Sequence, residues 1–488
     1  MSAVLLRFAA LSLILAFTNL AAAEKPNVLL ICVDDLKPAL GCYGDKLAKS
    51  PNIDRLAARG MRFDLAYCNQ AVCAPSRNSL LTGSRSTSLG IYGLSQNFRE
   101  RAPDAVTMTQ HFMKHGYRAE AVGKILHSGH GNHDDEASWS VPTVKEKVVE
   151  YLDPKNSANG QLTREEAYFT NQKLDEIREL PRGAAIEISD VPDNAYADGR
   201  IADTGIVRLR DAKKRGTPFF LALGFVKPHL PLTAPKKYFD LHDPQKFPLA
   251  PFQNPPEGAP KYAGKSGGEI VNYDPLSVAN LREEARQREL IHAYYACVSF
   301  VDAQLGRVLD ELDRLGLTQN TIVVLWGDHG WHLGDHGIWT KHTNYEQANR
   351  IPLIIAAPGV GKAGATRQPA ETVDIFPTLA ELAGLPAPLG PQKIDGLSLA
   401  PVLRDPEKLI RDHATHCYPR GERIGRAIRT ARYRLVEWKV PGAAPETADL
   451  ELYDYETDPL ETKNLATSQP AVVAELRIIL ARQPEARK

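Results

Sequence analysis

Four short apolar runs in this sequence each stop abruptly at polar or charged residues, and they constrain the fold more than any other feature. Asn27 to Val33 (NVLLICV) runs into Asp34-Asp35, and Ala119 to Val122 leads to Gly123-Lys124 with His127 close behind. Phe219 to Val226 runs into Lys227-Pro228-His229, and Thr321 to Leu325 leads through Trp326-Gly327 to Asp328-His329. Uninterrupted apolar runs of this length suit strands buried on both faces of a mostly parallel sheet. Helical patterns lie between them, at Ile53 to Arg59 and at Ile291 to Leu315, the latter stopped by Gly316. The expected fold is α/β, a large mostly parallel sheet flanked by helices. Ligands of such sheets sit beyond the carboxyl ends of the strands. If the four runs share one sheet, their polar exits therefore meet at a single site.

The chain has 488 residues, 43% of them hydrophobic, which is enough for a large core and excludes a disordered tail protein. Its 59 basic and 59 acidic side chains balance, so bulk charge offers no argument for nucleic acid or an anionic membrane as partner. Residues 1–23 carry one basic residue, Arg7, then an apolar run and a small-residue ending at Ala21-Ala22-Ala23, the anatomy of a secretory signal peptide. The expectation is an exported protein with no membrane segment after cleavage. The six cysteines are sparse and irregularly spaced, unlike a disulfide scaffold, and no Asn-x-Ser/Thr sequon occurs. A bacterial periplasmic or secreted protein fits these features.

From about residue 409 the character changes. Arg426 to Thr430, Tyr433 to Trp438 and Leu450 to Tyr455 read as short strands and Pro470 to Arg482 as a closing helix. The expected division is a signal peptide over 1–23, a catalytic domain over 24–408 and a smaller C-terminal α+β subdomain with an antiparallel sheet over 409–488. Residues 240–285, rich in Pro, Gly and Asn, read as a long irregular insertion near the site.

The segment Cys73-Ala74-Pro75-Ser76-Arg77, continued to Leu81-Thr82-Gly83, is the most informative. Pro75 suits the first turn of a helix, whose free N–H groups favour an anion, and Arg77 adds a forked cation there. A cysteine so placed is expected to have a lowered pKa and to be a candidate nucleophile. The string resembles the signature of the type I sulfatases, within the alkaline phosphatase superfamily. Asp34-Asp35, Gly123-Lys124, Asp328-His329-Gly330 and Lys341 extend the resemblance over most of the chain. Through Val33 to Pro38, Gly41 to Asp45, Gln70 to Cys73, Lys227-Pro228-His229 and the spacing of Lys124 from His127, the chain is most similar to the iduronate-2-sulfatase branch. The resemblance implies that Cys73 is oxidised to formylglycine by a separate maturation system, formylglycine-generating or anaerobic. Three residues separate Cys73 from Arg77, which excludes the Cys-x5-Arg loop of cysteine phosphatases.

Asp34, Asp35 and Asp328, with His329 and the polar atoms of residue 73, offer an oxygen-rich ligand set suited to a hard cation. In the sulfatases this is usually Ca²⁺, one per chain. Arg77, Lys124, Lys227 and Lys341 are expected to leave a strongly cationic pocket around it, able to concentrate an anionic ester and stabilise charge on its oxygens. The resemblance further implies that His229 protonates the departing sugar oxygen, with Lys341 and Lys227 near the sulfate. It implies a covalent sulfo-enzyme, and that His127 takes the proton from the second hydroxyl as sulfate is expelled. A pKa near 6.5 would suit both histidines to this. His332, Trp331, Trp339, His342 and Arg420 are weaker candidates for the pocket wall. The substrate implied is a sulfated carbohydrate, the 2-O-sulfate of a terminal iduronate or other uronate in heparan- or dermatan-type glycans. The alternatives are another carbohydrate sulfatase, a phosphodiesterase, or a non-catalytic binder of sulfated glycan.

Overall fold

The computed structural model describes residues 25–361 and 363–487. The expected signal peptide, residues 1–23, lies outside the described residues. The four apolar runs form adjacent strands of one seven-stranded sheet. Its strands in chain order are β1 (Asn27–Val33), β2 (Met61–Phe63), β3 (Arg118–Gly123), β4 (Phe219–Phe225), β5 (Thr321–Gly327), β6 (Leu353–Ala356) and β7 (Gly364–Thr366). In space they run β7-β2-β6-β5-β1-β4-β3. The β5-β1-β4-β3 half is wholly parallel, while β6 is antiparallel to both its neighbours.

Every residue of β1, β4 and β5 is buried, because successive side chains point into two separate cores. Leu29, Ile31 and Val33 join a core with Leu223, Leu325 and two long helices, α3 (Ala197–Arg215) and α4 (Glu284–Arg314). Val28, Leu30 and Cys32 join the opposite core with Phe220, Val324 and the helix α1 (Cys73–Thr82). A short helix, α2 (Arg164–Phe169), stands over the carboxyl edge of the sheet, its ring of Phe169 against His127 and His229. At about 1.5–3 kcal/mol for each fully buried aliphatic side chain, this two-faced burial is what makes an unbroken apolar run a central strand.

The register levels the four exits. Val33 pairs with both Phe225 and Gly327, and Gly123 pairs with Gly224. The last pair must be glycine on steric grounds: a Cβ on Gly224 would lie 2.2 Å from the Lys124 carbonyl oxygen, and one on Gly123 2.2 Å from that of Gly224. This close approach lets the Lys124 amide donate to Gly224 O at 2.8 Å and turns the lysine toward β1.

The C-terminal region is a separate antiparallel sheet of four strands, β8 (His413–Arg420), β9 (Arg423–Thr430), β10 (Tyr433–Lys439) and β11 (Asp449–Asp454). The first of these was not among the expected strands; it contains Pro419, pairs on one side only and so tolerates the missing donor. Helix α5 (Pro470–Ala481) covers Ile428, Leu435 and Leu452 with Val473, Leu476 and Leu480. Residues 240–283 are irregular as expected, holding short 3-10 turns, and the last two residues of the expected insertion, Glu284 and Ala285, already open α4. Among the described residues, no helix is long and apolar enough to cross a membrane.

Candidate active site

The residues following β1, β3, β4 and β5 converge on Cys73. This residue opens α1 and is 1% exposed. Its Sγ, standing where the oxygen-bearing group of a formylglycine would be, lies 3.3 Å from His329 Nε2 and 3.9 Å from Lys124 Nζ. One ligand atom from each of Asp34, Asp35, Cys73 and His329 lies within 4.8 Å of the others, a grouping able to hold a metal ion.

Arg77 organises this centre from beneath. It is wholly buried, its Nε donates to Asp328 Oδ2 at 2.9 Å, and Nη2 donates to Asp34 Oδ1 at 3.0 Å. Its remaining nitrogen donates to the backbone oxygens of Lys124 and Ile125. The guanidinium therefore ties β1, β3 and β5 to the turn that carries Cys73. Lys124 Nζ donates to Asp34 Oδ2. Burial alone would raise the Asp34 carboxyl, but Lys124 and Arg77 outweigh it and hold the group well below the ordinary carboxylate range.

Asp35 is the counterpart that lacks such support. Burial pushes its carboxyl well up; Lys341, 3.2 Å from Oδ2, opposes this, while Asp34 and Glu269 add to it. Its Oδ1 is buried without a partner, and its backbone sits at φ 58°, a left-handed conformation that disfavours a non-glycine residue. That conformation is held by the Asp35 amide donating to Asp328 Oδ1 and the Tyr294 hydroxyl donating to Asp35 O. Burial and the Asp34 charge likewise push Asp328 up to about 7. His329 Nδ1 faces Gly330 O at 3.1 Å, so this nitrogen carries the proton and Nε2 offers a lone pair toward Cys73 and Asp35. A buried carboxylate oxygen without a donor, a raised neighbour and a free imidazole lone pair are what a cation would satisfy. The residues fit a divalent metal.

Four expectations are corrected by burial and packing. Burial and the charge of Asp34 push the Cys73 thiol well up, overriding the helix terminus and both lysines. Burial, reinforced by Lys124, pushes His127 and His229 well below 6.5, so both are neutral at neutral pH. Lys227 does not face Cys73; its Nζ donates to the carbonyls of His229 at 2.9 Å and Pro231 at 2.6 Å and thereby shapes the loop of His229. The pocket is also less cationic than expected, because Lys227 is spent on backbone and a fourth carboxylate enters.

That carboxylate is Glu269, from the 240–285 insertion. Its Oε2 lies 2.7 Å from Lys341 Nζ and its Oε1 3.9 Å from His229 Nε2. A single Glu in an irregular segment carries no sequence pattern, so nothing in the sequence marks it. His130 was more legible. It repeats the spacing of His127, and its Nδ1 lies 3.2 Å from His127 Nε2. Phe169 of α2 closes the mouth, its ring centroid 5.7 Å from His127, 5.6 Å from His229 and 5.3 Å from Lys124 Nζ. Of the weaker candidates, Trp331 lies under Lys341 Nζ at 5.2 Å, and His342 is pushed down to about 3 by burial despite Glu269 nearby. Arg420 is anchored on backbone oxygens of Tyr262 and His342. His332 faces Thr343 Oγ1 at 2.9 Å and Trp339 lines a neighbouring cavity of about 620 Å³; neither is brought to Cys73.

Comparison with known proteins follows this architecture. A solved structure described as in complex with its substrate D-glucosamine-2-N,6-O-disulfate superposes with a TM-score of 0.72 at 23% identity, covering 95% of this chain and 100% of that one. A structure described as a 2-O GAG sulfatase superposes at 0.68 with 24% identity, covering 94% and 91%. These show the fold, a mostly parallel α/β sheet flanked by helices with a smaller antiparallel sheet after it. A sequence profile described as sulfatase matches residues 26–385, and one described as N-sulphoglucosamine sulphohydrolase, C-terminal, matches 334–484. Iduronate 2-sulfatase of Mus musculus is 36% identical over 402 residues, covering 75% of this chain and 70% of that protein. A protein named sulfatase from Formosa agariphila is 32% identical over 466 residues, covering 91% and 84%. The chain belongs to the sulfatase family and is a sulfuric ester hydrolase.

Proposed function

We propose that this sulfatase removes sulfate esters from carbohydrates, specifically the 2-O-sulfate of a terminal iduronate or related uronate of heparan- or dermatan-type glycans, using a formylglycine made from Cys73. The observation that carries this reading is the convergence of Cys73, Lys124, His229 and Lys341 on the Asp34-Asp35-His329 cluster at the sheet edge. Asp34, Asp35, residue 73 and His329, with Asp328 behind them, would hold Ca²⁺, which when bound lowers the proton affinity of a hydroxyl at position 73 and screens the carboxylates. Lys124 and Lys341 neutralise the sulfate oxygens. His229 is the acid toward the leaving sugar oxygen in its protonated form: Nδ1–H is committed to Leu230 O at 2.6 Å, so the neutral ring holds a lone pair at Nε2 and first takes up a proton there, a form that Glu269 stabilises from 3.9 Å, before passing it to the leaving oxygen. His127, neutral when buried beside Lys124, accepts the proton released from position 73. Arg77 holds the turn of residue 73, and Lys227 holds the backbone of His229.

The iduronate assignment is supported by two relatives named iduronate 2-sulfatase, from mouse and human, each 36% identical. We further propose a leader over 1–23, a catalytic unit over 24–408 and a C-terminal unit over 409–488. The partners proposed are the sulfated saccharide and a maturation enzyme, and the location is bacterial, periplasmic or secreted. The test is sulfate release from defined disaccharides bearing single 2-O, N-, 6-O or 4-O sulfates. Selective turnover of the 2-O uronate is expected, and turnover confined to 6-O or 4-O esters overturns the assignment.

A further inference from the structure

A second cavity, of about 620 Å³, opens between the 240–285 insertion and the loop that leads from β5 to Lys341. It shares a wall with the Cys73 site. The Trp339 amide donates to Gly267 O at 3.0 Å, so insertion and loop run side by side here, and two residues further along each, Glu269 and Lys341 meet at 2.7 Å in the active site. A Cβ on Gly337, which lines the cavity at φ 69°, would lie 2.9 Å from Gln253 O, so glycine there lets the insertion close against the loop. Three cations line the cavity, Lys261, Lys265 and Arg282, each exposed to solvent, and no acidic residue lines it. In a charge-balanced chain this is a local excess. The deep side is different. Trp339 and His336 line it at 1% and 5% exposure, and the Trp339 indole N–H and His336 Nδ1 are both buried without a hydrogen-bond partner among the described residues. His336 Nε2 faces Leu460 O at 2.9 Å and so carries the ring proton, which leaves Nδ1 as an acceptor.

Buried polar groups left unpaired are costly and persist where a ligand supplies the partner. The indole needs an acceptor and the imidazole a donor, and a hydroxyl is both. The cations at the mouth call for negative charge. An inorganic anion would satisfy the mouth but offers His336 no donor, and a neutral sugar would leave the cations unused. A sugar residue bearing sulfate or carboxylate beside free hydroxyls meets both demands. We propose that this cavity is a second saccharide site, which holds an anionic residue of the glycan beyond the one whose sulfate is removed at Cys73. The glycan crosses the wall shared by the two sites, and the enzyme favours a longer anionic chain over an isolated disaccharide. This rests on the carbohydrate reading above.

The experiment compares kcat/KM for a disaccharide and for an anionic tetrasaccharide with the same sulfated terminal residue, in wild type, in the double variant Lys261→Gln/Arg282→Gln and in Trp339→Phe. An aryl sulfate and a tetrasaccharide whose added residues carry no charge serve as controls. Wild type is expected to favour the anionic tetrasaccharide by about tenfold at low salt, since each exposed charge contact contributes up to about fivefold, and to lose most of that preference as salt is raised. The double variant should retain a preference of about twofold or less. Trp339→Phe, which removes the N–H and keeps a ring, should lower the preference by about threefold, the effect of one hydrogen bond. Disaccharide turnover with no tetrasaccharide preference overturns the inference alone, as does a preference that survives the double substitution or extends equally to the uncharged tetrasaccharide. The wild-type and double-variant arms stand even if Trp339→Phe fails to fold. Aryl sulfate turnover with no turnover of any saccharide overturns the carbohydrate reading itself, and the inference with it.

Discussion

Among the clusters of buried arginine and carboxylate in this molecule, two are built to opposite ends. Around Glu346, Arg429 and Arg434 meet a carboxylate that joins Tyr67 and the C-terminal sheet, while Arg434 also pairs with Glu461. Arg429 in addition stacks on Tyr455, its guanidinium 3.6 Å from the ring centroid. Burial would raise Glu346, but the arginines outweigh it and hold the carboxyl well down. Around Cys73 the single arginine is shared between Asp34 and Asp328, and Asp35 keeps a bare oxygen. In the first cluster every carboxylate is paired with arginine, and it ties the C-terminal sheet to Glu346 and Tyr67. The second is short of positive charge, and that deficit marks it as a site.

The largest test of this contrast is chemical. Cys73→Ser, or expression without a maturation enzyme, is expected to abolish sulfate release, with a loss on the order of a millionfold as for other enzymatic nucleophiles. Mass spectrometry of the peptide spanning residues 62–77 checks the modification: a fully active protein carrying only unmodified Cys73 rejects the mechanism.

A smaller effect separates the clusters thermodynamically. Glu346→Gln leaves Arg429 and Arg434 short of a partner and should lower stability by about 3–5 kcal/mol, the usual result of breaking a buried pair. Asp35→Asn should cost the metal-free protein little, because it removes a carboxylate already resisted by its surroundings. It should, however, remove the rise in thermal midpoint that added Ca²⁺ gives, about 2.7 kcal/mol at one hundred times Kd. Calorimetry of both variants with chelator and with Ca²⁺ add-back reads the two outcomes; full activity after complete metal removal would falsify the metal assignment.

The smallest effect is the pH dependence, and its sign differs between a carboxylate held by two arginines and one that shares a single arginine with a second acid. Glu371 belongs to a paired cluster with Arg85 and Arg411; against burial, these bring it down to about 2. Its contribution to stability is full above the unfolded value of about 4.3 and is lost as pH falls toward 2. Asp328, raised to about 7, works the other way. The folded metal-free protein keeps a proton that the unfolded chain releases near 3.9, so this group's contribution declines as pH rises from about 4 to 7. Metal binding displaces that proton and should tighten over the same window. Urea titrations and calorimetric proton release between pH 4 and 8 measure both, and a metal affinity independent of pH in that range contradicts the assignment.

Much of this was legible along the chain. An unbroken, seven-residue apolar run such as NVLLICV suits a strand covered on both faces, and the parallel register then brings Asp34, Lys124, His229 and Asp328 to one edge. The Cys73 to Gly83 string gave the helix start and the family. Pairwise environment was not legible. Lys227 and Lys341 read alike as basic residues following strands, yet one caps backbone carbonyls and the other bridges two carboxylates. Chain order also hid Glu269, which reaches the pocket from an irregular insertion where neither periodicity nor motif marks a position.

The order of residues thus settled the sheet, the edge at which chemistry occurs and the chemical family, because hydrophobic period and local motif act over a few residues. The protonation of Cys73, His127 and His229, the turning of Lys227 onto backbone carbonyls and the pairing of Glu269 with Lys341 followed from folding alone. Those properties depend on desolvation and on charges brought together from distant segments, and distance through space is what a linear sequence does not record.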